Sequence, residues 1–221
     1  MNAHTEESRA PLAPADALRI LLEGNGRFQK NLKANRDLIR QMEQTSEGQF
    51  PLAVILSCMD SRTSAELIFD QGLGDIFSIR IAGNIIGDNI LGSIEYAVAV
   101  AGVKLILVLG HTRCGAIAGA CSDVKLGNLT VLLDKIKPSI GRTAPENGGR
   151  QEWIDRVAAA NVCASIDAII ERSPHVKQLM DTGEVGLAGA MYDVGTGAVE
   201  VMHACEYVRS AAPAAGPLQE R

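Results

Sequence analysis

Short apolar runs alternate with amphipathic segments along most of this chain, and the alternation predicts an α/β fold. The apolar runs are rich in branched side chains and have the length of buried parallel strands. They occupy residues 51–56, 75–80, 103–109, 185–194 and 198–202. A turn containing Gly195 and Gly197 separates the last two runs, which predicts that they pair as neighbouring strands.

Helical spacing of apolar residues marks the segments between the strands. The predicted helices cover residues 15–30, 89–101, 128–136 and 151–172. Gly24 and Gly26 are expected to interrupt the first helix. The run Thr63-Ser-Ala-Glu66 matches a capping box, which predicts a short helix through Asp70 whose positive end favours anions.

Two polar runs stand where predicted strands end. Cys58-Met-Asp-Ser-Arg62 follows the first strand, and His111-Thr-Arg-Cys114 follows the third. In an open α/β sheet, functional groups gather at the carboxyl ends of strands. We therefore expect the two runs to meet, although they are distant in sequence.

The residue types in these runs suit a zinc site. Two thiolates and one imidazole, from Cys58, Cys114 and His111, leave a fourth position for water or substrate, which is typical of catalytic zinc. The alternative is that both cysteines are ordinary buried thiols. Asp60 and Arg62 at the same strand end favour the functional interpretation, because burying both charges without a role would be costly.

Length and composition fit one domain with a sizeable core. The chain has 221 residues, of which 47% are hydrophobic and 21% charged. We predict a single domain over residues 1–221, with a flexible arm at 1–13 and a frayed tail at about 211–221. The net charge of -5 and the lack of a Lys/Arg cluster argue against a nucleic-acid partner.

The N-terminus lacks the basic start and apolar run of a signal peptide, and no apolar stretch reaches the length of a membrane span. These features predict a cytoplasmic protein without a membrane partner. The five cysteines follow no disulfide spacing, which fits a reducing compartment where thiols stay free or bind metal. Structural roles are expected for Cys121, Cys163 and Cys205.

Three motifs, in this order, resemble the β class of carbonic anhydrases. They are Cys58-Met-Asp-Ser-Arg62, then Arg80-Ile-Ala-Gly-Asn84, then His111-x-x-Cys114-Gly115. The similarity in organisation runs from about residue 15 to residue 201. The resemblance implies a central, mostly parallel four-stranded sheet with an additional edge strand, flanked by helices.

The resemblance also implies the chemistry. Cys58, His111 and Cys114 would hold one Zn²⁺ per chain, and zinc-bound hydroxide would attack carbon dioxide to give bicarbonate and a proton. Asp60 has two arrangements in that family. Held by Arg62, it orients the hydroxide; released, it becomes the fourth zinc ligand and closes the site.

Substrate contacts follow from the same likeness. Gln49, Phe77 and Tyr96 match residues that line the carbon dioxide pocket in the plant-like subgroup, together with Gly115. Ala82 stands where that subgroup usually has valine, which predicts a slightly wider pocket.

A second subgroup binds regulatory bicarbonate through a tryptophan, an arginine and a tyrosine. Arg80 and Tyr192 match two of these residues, but Ile55 occupies the tryptophan position. We therefore favour the constitutively open subgroup.

The family assembles as dimers or multiples of dimers, so self-association as a dimer or tetramer is expected. Gln49, Phe77 and Tyr96 contribute at the family's dimer interface.

Two other functions stay open. The same zinc site serves relatives that hydrolyse carbonyl sulfide or carbon disulfide, and a non-catalytic zinc protein would use Asp60 as a fourth, closing ligand.

Overall fold

The computed structural model describes residues 2–146 and 148–208, and these residues form one five-stranded sheet. The spatial order of the strands is β2-β1-β3-β4-β5. Their bounds are β1 Ala53–Ser57, β2 Ile76–Arg80, β3 Leu105–His111, β4 Gly186–Tyr192 and β5 Val199–Tyr207. The first four strands run parallel, and β5 pairs antiparallel with β4 at the edge. The predicted sheet is confirmed.

Helices cover both faces of this sheet. The longer ones are α2 Pro14–Gln29, α3 Leu38–Thr45, α5 Asp88–Glu95, α7 Gly127–Asp134, α9 Arg150–Arg172 and α10 Pro174–Thr182. The short ones are α1 Glu6–Arg9, α4 Ala65–Ile68, α6 Gly115–Cys121 and α8 Lys137–Gly141. A 3₁₀ turn lies at Ala82–Asn84, and a π-helical turn at Tyr96–Val100 extends α5.

The two faces of the sheet carry separate apolar clusters. On one face, alternate residues of β1 and β3 pack against α5, α9 and α10. On the other face, the intervening residues pack against α2 and α4. Strands β1 and β3 are buried throughout, which explains their uninterrupted apolar sequences.

A third cluster closes the carboxyl end of the sheet. It joins α6, α7 and α9 around Cys58 and Cys114. The candidate ligand residues therefore pack against apolar side chains of helices that follow β3 in the chain.

The expected interruption of the first helix is wrong, because α2 is continuous from Pro14 to Gln29. Helix α2 packs against the rest of the domain at Gly24 and Asn25. The Asn25 amide donates to the carbonyls of Ile68 and Gly197, and its oxygen accepts from the Val199 backbone. The sequence Gly-Asn-Gly therefore serves close packing and does not break the helix.

The predicted capping box at Thr63 is also wrong. Helix α4 covers only Ala65–Ile68, and its N-cap residue Ser64 makes no capping hydrogen bond. The Thr63 hydroxyl instead donates to the carbonyls of Cys58 and Asp60, at 2.8 and 2.9 Å. Thr63 therefore holds the end of β1, and a four-residue helix offers no anion site.

Two of the cysteines expected to be free form a disulfide. Cys163 on α9 is joined to Cys205 on β5. Both residues therefore have a structural role, but not as thiols. In the described part of the chain, Cys58, Cys114 and Cys121 are the free cysteines.

The N-terminal residues contact the body of the domain. The backbone of Ala3 donates to Gln44, the backbone of His4 donates to Asp75, and the Arg9 guanidinium donates to the Ala101 carbonyl. The predicted frayed tail at 211–221 lies outside the described residues. Within the described ranges, no helix is both long and apolar enough to cross a bilayer.

Substituting Gly24 and Gly26 separately should give opposite changes in stability. A Cβ at position 24 would lie 1.8 Å from the Phe69 carbonyl oxygen, whereas one at position 26 would have no described neighbour within 4 Å. Alanine also favours helix over glycine by about 0.8–1 kcal/mol. We expect Gly24→Ala to destabilise the fold by roughly 1–3 kcal/mol and Gly26→Ala to stabilise it slightly. Urea unfolding of both variants measures this, and equal shifts would contradict the docking of α2.

Candidate metal and active site

Three ligand-type atoms converge at the carboxyl end of the sheet. They belong to Cys58, just after β1, to His111, which ends β3, and to Cys114, which precedes α6. All three atoms lie within 4.8 Å of one another, and the two sulfurs are 4.0 Å apart. The three side chains are almost completely buried. The structure therefore brings together the residues that the two polar runs predicted.

The orientation of His111 leaves one ring nitrogen free. Its Nδ1 lies 2.9 Å from the carbonyl oxygen of Thr112. Because a carbonyl only accepts, Nδ1 donates to it, and Nε2 is the ring nitrogen left to bind a ligand. Nε2 is buried and has no hydrogen-bond partner among the described residues. Leaving a buried nitrogen unsatisfied is costly, so this atom needs a ligand.

The two candidate ligand sulfurs lie within hydrogen-bonding distance of each other, at 4.0 Å. The pKa of Cys58 is lowered to about 4, mainly because the Cys114 thiol donates to its sulfur. Backbone N–H groups of Gly83 and Asp60 also donate to the Cys58 sulfur, each at 3.4 Å. The pKa of Cys114 is raised by the same shared hydrogen bond and by burial. The hydrogen bonds around the Cys58 sulfur therefore favour its thiolate form.

Asp60 is held away from the sulfurs by Arg62. The guanidinium of Arg62 donates to both carboxylate oxygens at 2.9 Å, and the Arg62 backbone N–H donates at 3.0 Å. These bonds lower the pKa of Asp60 to about 2, so the carboxylate is ionised at neutral pH. Arg62 also donates to the carbonyl of Arg113 at 3.2 Å, which ties Asp60 to the second polar run.

Gly83, from the motif that begins at Arg80, and two residues of α9 that the sequence did not single out support this site. Gly83 has φ +68, and a Cβ there would approach Ile136 to 2.7 Å, so glycine is required where the Cys58 sulfur is contacted. On α9, Asn161 donates to the Gly83 carbonyl at 2.8 Å and Ser165 to the Asn84 carbonyl at 3.1 Å. In a helical sequence these residues carry no signal of a site.

Arg80 and Tyr192 occupy different surroundings. Arg80 donates to the carbonyls of Cys58 and Asp60, at 3.2 and 2.5 Å, and so fixes the first polar run. Tyr192 ends β4 opposite His111, and burial raises the pKa of its hydroxyl. No hydrogen bond or ion pair among the described residues joins the two. Ile55, which occupies the position of the tryptophan in the second subgroup, is buried inside β1.

The predicted pocket residues divide into two groups. Ala82 and Gly115 are each next to a residue that contacts or supplies a metal-ligating sulfur. Phe77 and Tyr96 instead lie together, with ring centroids 6.3 Å apart, in a groove of about 580 Å³ along β2 and α5. The described lining of this groove contains none of the three ligand residues. Gln49 is exposed in the segment before β1.

Two sulfurs and one imidazole nitrogen form a donor set that suits zinc. The fit is supported by the unpartnered Nε2 of His111 and by the backbone N–H groups that donate to the Cys58 sulfur. Three ligands leave one coordination position, and Asp60 in its pair with Arg62 does not take it. The arrangement therefore has a donor set that fits zinc.

Comparisons with known proteins agree with this arrangement. The carbonic anhydrase family model matches residues 53–199. A carbonic anhydrase of Mycolicibacterium smegmatis is 36% identical over 197 residues, covering 85% of this chain and 93% of that protein. Carbonic anhydrase 2 of Mycobacterium tuberculosis is 36% identical over 189 residues, covering 83% and 90%.

Solved structures give the same result for the fold. A tetrameric β-carbonic anhydrase of the fungus Sordaria macrospora superposes with a TM-score of 0.68 at 27% identity, covering 85% of this chain and 98% of that one. The Coccomyxa β-carbonic anhydrase, solved with acetazolamide, gives 0.67 at 26% identity, with coverage of 84% and 86%.

Proposed function

Because this chain belongs to the β class of the carbonic anhydrase family, we propose that it hydrates carbon dioxide reversibly to bicarbonate and a proton. The observation that carries the proposal is the convergence of three ligand atoms within 4.8 Å, one of them the unpartnered Nε2 of His111. Cys58, His111 and Cys114 would hold one zinc ion per chain.

Zinc, when bound, lowers the pKa of a coordinated water and so supplies hydroxide near neutral pH. With zinc bound, the sulfurs of Cys58 and Cys114 would both be thiolates and would contribute two negative charges, whereas the His111 imidazole would contribute none. This donor set would make a coordinated water less acidic than three neutral imidazoles would. Activity should therefore rise toward mildly alkaline pH.

Asp60 is proposed to orient the nucleophile. Its carboxylate is ionised and can only accept, so it takes a hydrogen bond from the attacking water or hydroxide and leaves an oxygen lone pair aimed at carbon dioxide. The new bond joins that oxygen to carbon, and the displaced proton leaves to solvent or buffer. Arg62 keeps Asp60 in this accepting position, which supports the open state.

The chain is also proposed to assemble, as a dimer or a tetramer, so that neighbouring subunits complete the substrate pocket. Tyr96 is 54% exposed, and Phe77 lies beside it in the groove along β2. An exposed aromatic ring beside a half-buried one, at the edge of a sheet, is typical of an interface. Gln49, Phe77 and Tyr96 would then approach the metal site of the partner subunit.

Stopped-flow hydration of carbon dioxide tests the activity. With zinc content determined for each sample, the rate should rise with pH and should vanish in Cys58→Ser. Cys121→Ser is the matched control, because Cys121 is a free cysteine outside the ligand set and should keep wild-type activity.

Zinc-loaded protein that fails to hydrate carbon dioxide at any pH would refute the proposed reaction. Turnover of carbon disulfide by the same sample would then assign the site to the hydrolase alternative, and no turnover of either substrate would indicate a non-catalytic zinc site.

Replacing Arg62 tests the role of the Asp60 pair. Without the guanidinium, Asp60 loses two side-chain hydrogen bonds and keeps only the one from the Arg62 backbone N–H, so its carboxylate is freer to move toward the candidate metal ligands. We expect Arg62→Ala to lower kcat/KM by roughly 10- to 100-fold, a typical effect of losing a group that orients a metal site. Arg142→Ala, which removes an exposed ion pair with Asp167, is the control. A fully active Arg62→Ala protein with an open site would contradict the proposal.

Light scattering tests the assembly. Tyr96→Glu places a charge in the exposed aromatic groove, so it should shift the oligomer toward monomer and reduce hydration activity while the chain keeps its zinc. Val131→Glu changes an equally exposed apolar residue on α7 and should preserve the dimer. A Tyr96→Glu protein with unchanged mass and activity would exclude this groove as the interface.

A further inference from the structure

The peptide group between Thr112 and Arg113 is held at both of its polar atoms. Its carbonyl oxygen accepts from Nδ1 of His111 at 2.9 Å. Its N–H donates to Oδ1 of Asp155 at 2.8 Å. Asp155 therefore reaches the imidazole of a metal ligand through one peptide group.

Arg113 has a backbone conformation that needs support. Its φ is +56, in the left-handed region that residues with a Cβ adopt at a cost. Asp155 binds the peptide before the Arg113 Cα, and Arg62 binds the carbonyl after it at 3.2 Å. The two side chains together fix the turn that separates His111 from Cys114.

Asp155 is itself fixed by the helix that carries it. It lies in the first two turns of α9 and is half-buried. The Gln151 side chain, one turn earlier, donates to the same Asp155 oxygen at 2.9 Å. Val157 and Ala158, just beyond Asp155, are buried in the apolar cluster around Cys58 and Cys114, so this part of α9 is held against the site.

We propose that Asp155 is a positioning residue for His111 and acts through the 112–113 peptide. The inference rests on the zinc site proposed above. A carboxylate that accepts from a peptide N–H polarises that peptide and strengthens its carbonyl as an acceptor. The stronger acceptor holds Nδ1–H of His111 toward the Thr112 carbonyl and so keeps Nε2 in place as the ligand atom.

Asp155 would therefore affect the metal-binding strength of His111 without contacting its side chain. Histidine ligands ordinarily donate their second N–H to a carboxylate or a carbonyl. Here the Thr112 carbonyl accepts from the imidazole, and the N–H of the same peptide group donates to Asp155. The electrostatic effect of the carboxylate therefore reaches the imidazole through the peptide group. Asp155 also restrains the turn that delivers Cys114, so its loss should weaken two of the three ligands.

Zinc affinity tests this proposal directly. Wild type, Asp155→Ala and Asp155→Asn would each compete with a chromophoric chelator for zinc at one fixed pH. We expect Asp155→Ala to lower the association constant roughly 10- to 100-fold, as expected for loss of an outer-shell partner. Asp155→Asn keeps an oxygen that accepts but loses the charge, so it should recover part of the affinity.

Two further measurements separate positioning from general damage. Asp167→Ala removes an exposed carboxylate from the same helix and should leave zinc affinity unchanged. In zinc-loaded protein, the His111 Nδ1–H proton resonance should move upfield in Asp155→Asn, because its acceptor is weaker. If Asp155→Ala does not fold, Asp155→Asn provides both readouts.

The outcomes are distinguishable. Wild type that binds no zinc would refute the zinc site itself. Wild type that binds zinc, with Asp155→Ala and Asp155→Asn binding within two-fold of it and an unmoved His111 resonance, would overturn the role of Asp155 alone.

Discussion

The parallel pairing of β1 with β3 is the constraint on which the site depends. In that register Ser57 lies opposite Leu109, so Cys58 and His111 emerge at one edge of the sheet. Both strands are buried on two faces, and each face has its own apolar cluster. A slip of one residue would exchange the faces of every side chain in the strand. The packing of the sheet therefore fixes the distance between ligands that are 53 positions apart in the sequence.

Backbone carbonyls at these strand ends need donors, because the sheet no longer pairs them. Arg80 and Thr63 supply donors to the carbonyls of Cys58 and Asp60, and Asn161 supplies one to Gly83. Each of these hydrogen bonds restricts the conformation of the turn that accepts it. The polar residues around the ligands thus satisfy the backbone and restrict the positions of the sulfurs in the same contacts.

The sequence predicted what local patterns encode. The strands are apolar runs of the right length, and the ligand residues follow them directly. Both the sheet and the set of Cys58, His111 and Cys114 could therefore be predicted from the sequence. The Cys163–Cys205 disulfide could not be predicted, because it depends on how α9 packs on β5. The same holds for Asp155, whose partner is an exposed left-handed residue in another element. A charged residue in a long helix looks solvated until the tertiary contact is known.

The division of the proposed pocket has a physical consequence for assembly. All three ligands come from one chain and are buried there, whereas Phe77 and Tyr96 lie in a separate groove on the β2 side. The metal donors therefore depend on the fold of a single subunit, whereas in the proposed assembly the apolar wall for carbon dioxide would come from a neighbour. A dissociated chain would keep its buried donors but would lack that wall, so the proposed assembly makes metal retention and turnover separable properties.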